Sequence, residues 1–531
     1  MNGFAEARVK VKQGWLQGYT AGRVKIFKGI PYAAPPVGER RFRKPQDPGR
    51  WRGVRRAVEY SAAAIQQVME NPEDVSNVHG VPQMLAPSQY EEDCLYLNVW
   101  TPANTAQDKL PVFIWVHGGG LVAGSGVECV CDGEGLAGRK DMVVVTINYR
   151  LGFFGFFAHP DLTEEGDGTS GNYAFYDIRK ACLWVKENIE AFGGDPERIT
   201  VAGQSGGAVA VGVLHASPLM KGIIQRVSIE SGPIFWGFMK PSSRQEMEEK
   251  GKRFLEAIRC DSIEELRKRD AWELFDAYQE ICRDPMYFTY CVDGQFLPDK
   301  YETILESGRF NDFDVMIGSC AQEILPGGEE GIPVELYEKK IAELFPDAVE
   351  RMKIWYPAAS AWEARKQWST IASDLMLMGS VRLAELCHQY GRKAYVWLMN
   401  KENETEMGHR TGSPHCAEMP YVFGRVDKGE RNPFLDYRWV KQDYDFMELI
   451  QNYWHHFSEC GNPHSQGAPE WRAYERNFDV CILGNDPHML SQKEQEKYAY
   501  YYGRLRSGEV FPAKEMMRKG LDCGGVERGK A

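Results

Sequence analysis

Two hydrophobic patterns alternate along this chain. Short unbroken apolar runs, such as LPVFIWV (Leu110–Val116) and MVVVTINY (142–149), have strand length and β-branched content. They predict strands buried on both faces. The same reading gives strands at RITVA (198–202), FDVMIGS (313–319) and KAYVWLM (393–399). Between them DIRKACLWVKENIEAF (177–192) carries Ile178, Cys182, Val185 and Ile189 at helical spacing, and GGDP then stops it. Roughly the first 60 residues instead mix short alternating strands with turns.

Strands that alternate with helices at this spacing predict an α/β fold with a mostly parallel central sheet and helices on both faces. Two charged, helix-rich stretches lie near 240–282 and 330–390, and no Pro/Gly/Ser linker isolates either. They are expected as insertions over the sheet, within one catalytic domain running from 1 to 510. Residues 511–531 read as a polar, Gly-rich tail. A length of 531 residues would allow about three domains, but large α/β enzymes build this much chain around one sheet.

The pattern breaks most sharply at RITVAGQSGGAVAVGV (198–213), where a strand gives way to a helix across Gly-Gln-Ser-Gly-Gly. A strained strand-to-helix turn of the G-x-S-x-G type lifts the serine hydroxyl outward and sets a helix N-terminus behind it. Ser205 is therefore the candidate nucleophile, and the bland alternative is a Gly-rich turn. A serine needs a base and donors for the oxyanion that forms. His117-Gly118-Gly119-Gly120 follows a buried strand directly, and its successive glycines leave peptide N–H groups unshielded. The order Ser, acid, His is expected for this turn. Seven histidines lie after residue 320: His388, His409, His415, His455, His456, His464 and His488. The Gly-Ser-Pro loop before it favours His415. Glu323 lies just past the strand at 313–319, with Asp314, Glu329 and Glu330 as the other acids in reach.

Composition narrows the partners. The chain is 43% hydrophobic and 26% charged, with a net charge of −12, which argues against nucleic acid and against anionic membrane surfaces. No apolar run approaches a membrane span, and the first residues hold no signal-type hydrophobic stretch. Thirteen irregularly spaced cysteines read as reduced thiols in a cytoplasmic protein.

From Val9 to about Tyr474 the chain resembles the type-B carboxylesterase (carboxylesterase/cholinesterase-like) family of α/β-hydrolases. The markers run in order: FKGIPYAAPPVGERRF (27–42), EDCLYLNVWTP (92–102), HGGGLVAGSG (117–126), NYRLGFFGF (148–156), GNYAFYD (171–177), WVKENIEAFGGDPERITVAGQSGG (184–207), VDGQFLPD (292–299), HCAEMPYVFG (415–424) and YWHHFSECGNP (453–463). The resemblance implies an α/β-hydrolase fold with helical insertions over an active-site gorge. It implies a serine ester hydrolase working through an acyl-enzyme, on small neutral or aryl esters, with feruloyl-type phenolic esters and acyl lipids as the runners-up. It maps the nucleophile to Ser205, the triad acid to Glu323 and the base to His415. It maps oxyanion donors to Gly119, Gly120 and Gly206, and substrate contacts to Gln204, Leu121, Phe235 and Trp236. No cofactor and no metal is expected, and the partner is a small-molecule ester. A second class, a catalytically silent binding protein of this fold, is disfavoured because every triad and oxyanion position is filled.

The chain departs from the family pattern in several places. Ala64 stands where secreted members carry the partner of the cysteine at 94, and Cys260 lacks its later partner, so both are expected as free thiols. The segment 67–92 has no Trp. Gln204 stands where the family usually has Glu, Gly206 where it usually has Ala, and Gln322 where an Asp usually precedes the triad acid. Of the other candidates, His455, His456, Cys460 and His464 read as a helix end rather than a zinc site. Cys129 and Cys131 read as loop thiols, and Asp177 and Asp195 as structural acids near the sheet.

Overall fold

The structure, a computed structural model, describes residues 5–67, 89–127, 129–232, 235, 239–323, 331–424, 439–464, 466–476 and 478–508. Its centre is one sheet whose path runs through twelve strands. These are β1 (Ala5–Val11), β2 (Gly14–Ala21), β3 (Val24–Pro31), β4 (Tyr96–Thr101), β5 (Leu110–Val116), β6 (Val143–Ile147), β7 (Gly194–Gln204), β8 (Arg226–Glu230), β9 (Asp314–Cys320), β10 (Ala394–Met399), β11 (Val480–Leu483) and β12 (His488–Met489). The spatial order is β1-β2-β3-β4-β6-β5-β7-β8-β9-β10-β11-β12, with the short strand Val54–Arg56 beside β2. From β6 to β11 every neighbouring pair is parallel, and β1 to β4 form an antiparallel extension.

Alternation along each parallel strand sorts its side chains onto two faces. Val112, Ile114 and Val116 of β5 join one core, with Val315 and Ile317 of β9 and Val396 and Leu398 of β10. Phe113 and Trp115 join the other, with Met316, Tyr395, Trp397 and Met399. Helices cover both faces. We label α1 (Tyr173–Asn188), α2 (Gly206–Ala216), α3 (Ala361–Gln389) and α4 (Lys441–Cys460). Three helices, Arg244–Ala257, Ile263–Lys268 and Ala271–Cys282, fall in the first charged stretch. The first of them meets the body of the protein through Phe254, whose ring centroid is 5.0 Å from that of Phe153.

The sequence pattern and the structure differ at element ends. The strand expected over 142–149 closes at Ile147; Asn148 still donates its backbone N–H to Tyr96 C=O at 3.0 Å, while its side-chain amide holds Gly126 N–H and Ala62 C=O. The RITVA strand reaches back to Gly194 through a register shift between Gly194 and Ile199. The helix expected over 177–192 starts earlier, at Tyr173. It tightens into a 3-10 turn at Ile189–Phe192 and stops at Gly193, whose φ of 78° suits a residue without a Cβ.

Asp177 anchors this arrangement. It is fully buried and receives Arg150 Nε and an Arg150 terminal nitrogen at 2.7 Å each, plus the Arg150 backbone N–H at 3.2 Å. Asp195 caps the turn before the inner part of β7 by accepting from Glu197 N–H and Arg198 Nε. Breaking the Arg150–Asp177 pair leaves an uncompensated buried cation. Asp177→Ala should therefore lower unfolding free energy by about 3–5 kcal/mol, read from urea denaturation against the wild-type chain.

Candidate active site

In-register pairing brings the C-terminal ends of the parallel strands to one edge. Gly203 lies beside Val116, Gln204 beside Glu230, Glu230 beside Gly318, and Cys320 beside Met399. Each end opens into a loop at the edge where open α/β sheets bind ligands. Ser205 sits between β7 and α2 at φ 56°, ψ −123°, a left-handed conformation that strains any residue with a Cβ. Its backbone N–H is held by Glu230 C=O at 2.9 Å. Gly203 and Gly207 permit the turn, since a Cβ on either would run into the backbone, at Gly207 C=O and at Val116 C=O respectively.

The glycine loop after β5 lies directly over this turn. Gly119 and Gly120 have φ of 94° and 63°. A tight turn at Gly119 C=O, which accepts from Val122 and Ala123 N–H, folds the loop. Gln66, which sequence reasoning did not single out, clamps it: Gly124 N–H donates to Gln66 Oε1 at 2.7 Å, and Gln66 Nε2 donates to Gly124 C=O at 3.0 Å. Leu121 is buried at φ 64°, and its carbonyl accepts from Gly152 N–H, so it shapes the loop from within. A Cβ at Gly206 would lie 2.7 Å from the backbone nitrogens of both Gly120 and Leu121. The loop thus approaches residue 206 more closely than the alanine common in the resemblance would permit. His117 stacks on Tyr149, and burial lowers its pKa to about 4, so it stays neutral.

His415 and Glu323 meet although 92 residues separate them. His415 Nδ1 pairs with Glu323 Oε2, and Glu323 Oε1 accepts from Cys320 N–H at 2.6 Å. Glu323 is buried, and its own N–H is bonded to Ser373 Oγ on α3 at 2.8 Å. Gln322 ties the two loops together. Its N–H donates to Ser413 C=O, its Oε1 accepts from Ser413 N–H at 2.7 Å, and its Nε2 donates to Thr370 Oγ1 at 2.9 Å. A polar residue flanking a triad acid was the only sequence signal for this clamp. Burial opposes charge on His415, but the neighbouring Cys416 thiol and the Glu323 carboxylate outweigh it and hold the imidazole well above its ordinary pKa.

Gln204 was expected to contact substrate. It is instead buried, 2% exposed, against the base. Its Nε2 is 3.1 Å from His415 Nε2 and 3.4 Å from His415 Nδ1. Near-equal distances to both ring nitrogens put the amide over the imidazole face. Phe235 is buried, edge-on to Tyr301 at 6.4 Å, so it is at least a packed core ring. Trp236, Glu329, Glu330 and the 511–531 tail lie outside the described residues. Of the other histidines, His409 pairs with Glu402, His455 contacts Asp141 C=O, and His488 faces Glu494. His456 Nδ1 lies 2.8 Å from Asn462 C=O and 3.7 Å from Cys460 Sγ. Asp314 lies at the opposite end of β9, with Arg226. Among the described residues no cluster of three or more His, Cys, Asp or Glu side chains is arranged to hold a metal ion.

A strained serine between a glycine loop and a His–Glu pair, all at the C-terminal edge of a mostly parallel sheet, defines an α/β-hydrolase site. The chain belongs to the carboxylesterase family, whose model matches residues 5–501. It is a carboxylic ester hydrolase, and a serine mechanism is general to that family. A fumonisin B1 esterase from Sphingopyxis macrogoltabida is 32% identical over 476 residues, covering 87% of this chain and 84% of its own. The para-nitrobenzyl esterase of Bacillus subtilis (strain 168) is 29% identical over 521 residues, covering 92% and 97%. A solved thermophilic PNB esterase superimposes with a TM-score of 0.75 at 27% identity, covering 93% of this chain and 99% of that one.

The Gly206 contact gives a direct test. Gly206→Ala should displace the Gly120–Leu121 backbone by a few tenths of an ångström, loosening any oxyanion held there. We expect kcat for a nitrophenyl ester to fall by about 10–100-fold with KM little changed, since a lost oxyanion donor costs about 10²–10³. Steady-state kinetics on the folded variant checks it.

Proposed function

We propose that this chain hydrolyses small neutral or aryl esters through an acyl-enzyme on Ser205. His415 is the general base and Glu323 the triad acid. The observation that carries the reading is the half-buried His415, paired with the buried Glu323, beside the Ser205 turn. His415 Nε2 takes the Ser205 proton as Oγ attacks the ester carbonyl. Glu323, on Nδ1, fixes the tautomer and stabilises the imidazolium. The oxyanion is received by the N–H groups of Gly119, Gly120 and Gly206. The imidazolium then protonates the leaving alcohol, and water, deprotonated by His415, releases the acid.

Two features support uncharged substrates. Gln204 brings an amide rather than a carboxylate to the base, and residues 67–92 offer no Trp as a cation platform. The name of the para-nitrobenzyl esterase relative agrees with an uncharged ester that carries an aromatic ring on its alcohol part. We read residues 1–510 as one catalytic unit with the inserted helices covering the gorge, and the protein as cytoplasmic. Buried free thiols at Cys94 and Cys260 support the latter. Among the described residues no helix is long and apolar enough to cross a membrane.

Ser205→Ala should lower kcat at least about 10³-fold, His415→Ala nearly as much, and the double variant little further, because the two act as a unit. Losses that multiply in the double variant would refute the assignment. A chain-length series of nitrophenyl esters, with a feruloyl and a choline ester beside it, sets the substrate class.

Gln204→Glu places an anion against the imidazole face. An anion favours the protonated ring, so the acid limb of the kcat/KM profile should move to higher pH by about one unit, or ~1.4 kcal/mol. The shift should shrink at high salt if the gorge is wet. An unmoved limb with activity intact would show that residue 204 does not act on the base.

A further inference from the structure

Gln322 bonds the segment of the base with both its backbone and its side chain. Gln322 N–H donates to Ser413 C=O at 3.0 Å, and Ser413 N–H donates to Gln322 Oε1 at 2.7 Å. A parallel β-bridge joins Gln322 to Pro414, so the acid and base segments run side by side into Glu323 and His415. The other end of the amide is fixed on α3, where Nε2 donates to Thr370 Oγ1 at 2.9 Å. Thr370 gives its own hydroxyl proton to Lys366 C=O, also at 2.9 Å. Its oxygen therefore only accepts from Gln322, which sets the amide with oxygen toward Ser413 and nitrogen toward Thr370. Three residues along α3, Ser373 Oγ accepts from Glu323 N–H. Gly412 makes room for the clamp: it takes φ 65°, and a Cβ there would run into Gln322 Oε1. Ser413 Oγ donates to Lys401 C=O at 2.6 Å. Gln322, Glu323, Ser373 and Ser413 are all buried, so these bonds are made away from bulk water, where they hold geometry best.

We propose that Gln322, anchored on Thr370 of α3, is a positioning residue for the catalytic pair, holding the His415 segment in register with Glu323 so that Nδ1 stays on the carboxylate and Nε2 is left to work as the base. The departure from the family pattern at 322 fits this role. An aspartate there has no proton to give Thr370, whose oxygen only accepts, and would set a second anion beside Glu323. An amide serves both ends, so Gln322 and Thr370 form a matched pair. The clamp reaches no reacting atom. It acts through His415, where a displacement of about 1 Å costs about 10²-fold in rate.

The effect on turnover rests on His415 being the base proposed above, whereas the clamp itself does not. Gln322→Leu keeps the bulk and removes both amide bonds. We expect kcat for a nitrophenyl ester to fall about 10–100-fold with KM within about threefold. The acid limb of kcat/KM should move to lower pH, because a carboxylate held less squarely stabilises the imidazolium less. Thr370→Val removes only the anchor on α3 and should lower kcat about 3–10-fold, while Thr370→Ser, which keeps the hydroxyl, should stay within about twofold. The two sites act as a unit, so the Gln322→Leu/Thr370→Val double variant should lose little beyond Gln322→Leu. Gln322→Glu separates charge from position: kcat falls, but the added anion moves the limb to higher pH. Folded Gln322→Leu and Thr370→Val proteins with wild-type kcat and an unmoved limb overturn the proposal. If Gln322→Leu does not fold, Thr370→Val against Thr370→Ser decides it in the same way. Proton NMR adds a readout without turnover. In the Ser205→Ala protein the His415 Nδ1 proton, bonded to Glu323, should resonate far downfield and vanish when His415→Ala is added. Adding Gln322→Leu instead should shift it upfield or broaden it, and an unchanged resonance also overturns the proposal. Activity retained in His415→Ala would sink the base assignment and leave the NMR test of the clamp standing.

Discussion

Everything at this site depends on how closely the Ser205 turn packs against the end of β5. The contact exists because four positions lack side chains. Gly203 and Gly207 let the turn fold onto the β5 backbone, Gly118 faces Gln204 and Ser205, and Gly206 leaves room for the loop at Gly120 and Leu121. Ser205 bears the strain, at a cost of about 1–3 kcal/mol for a residue in a sparsely populated conformation. The flanking parallel strands over-determine its backbone, with Ser205 N–H fixed on Glu230 C=O. A rigid sheet thus stores the strain that holds the hydroxyl and the loop amides within reach of one carbonyl carbon.

Electrostatics at the same edge follow from burial. His415 and Glu323 are mutually compensated, and Gln322, Ser373 and Thr370 fix the loops that carry them. Elsewhere the protein compensates buried charge pair by pair: Arg150 with Asp177, Lys401 with Asp443, and Asp374 with Lys497 and two tyrosine hydroxyls. Among the described residues no cation pairs with Glu230 or Glu418; Trp454 and Ser228 donate to the first and Cys320 to the second. The neutral amide of Gln204 against the imidazole face adds no further negative charge near the base.

How much of this could be read in advance varied with the range of the interaction. The parallel strands were legible because burial on both faces leaves unbroken apolar runs, as at Leu110–Val116. The turn at Ser205 and the loop at Gly119–Gly120 were legible because backbone conformation is local and glycine marks it. Element ends were not. The strand at 143–147 stops two residues before its apolar run does, and Gly194 joins β7 across a register shift. Gln204 was expected to face substrate but turned inward, because the partner that receives it, His415, comes from 211 residues further along.

The sequence by itself determined the α/β class, the nucleophile turn and its glycine loop, since apolar periodicity and positive-φ glycines are properties of short stretches. It left seven histidines and four acids open on physical grounds, and the choice of His415 and Glu323 came from resemblance. Only the tertiary structure brings those two side chains together and folds Gln322 and Ser373 behind them. Such pairings depend on which loops the sheet carries to one edge. That is set by strand order and register across hundreds of residues, and no local pattern encodes it.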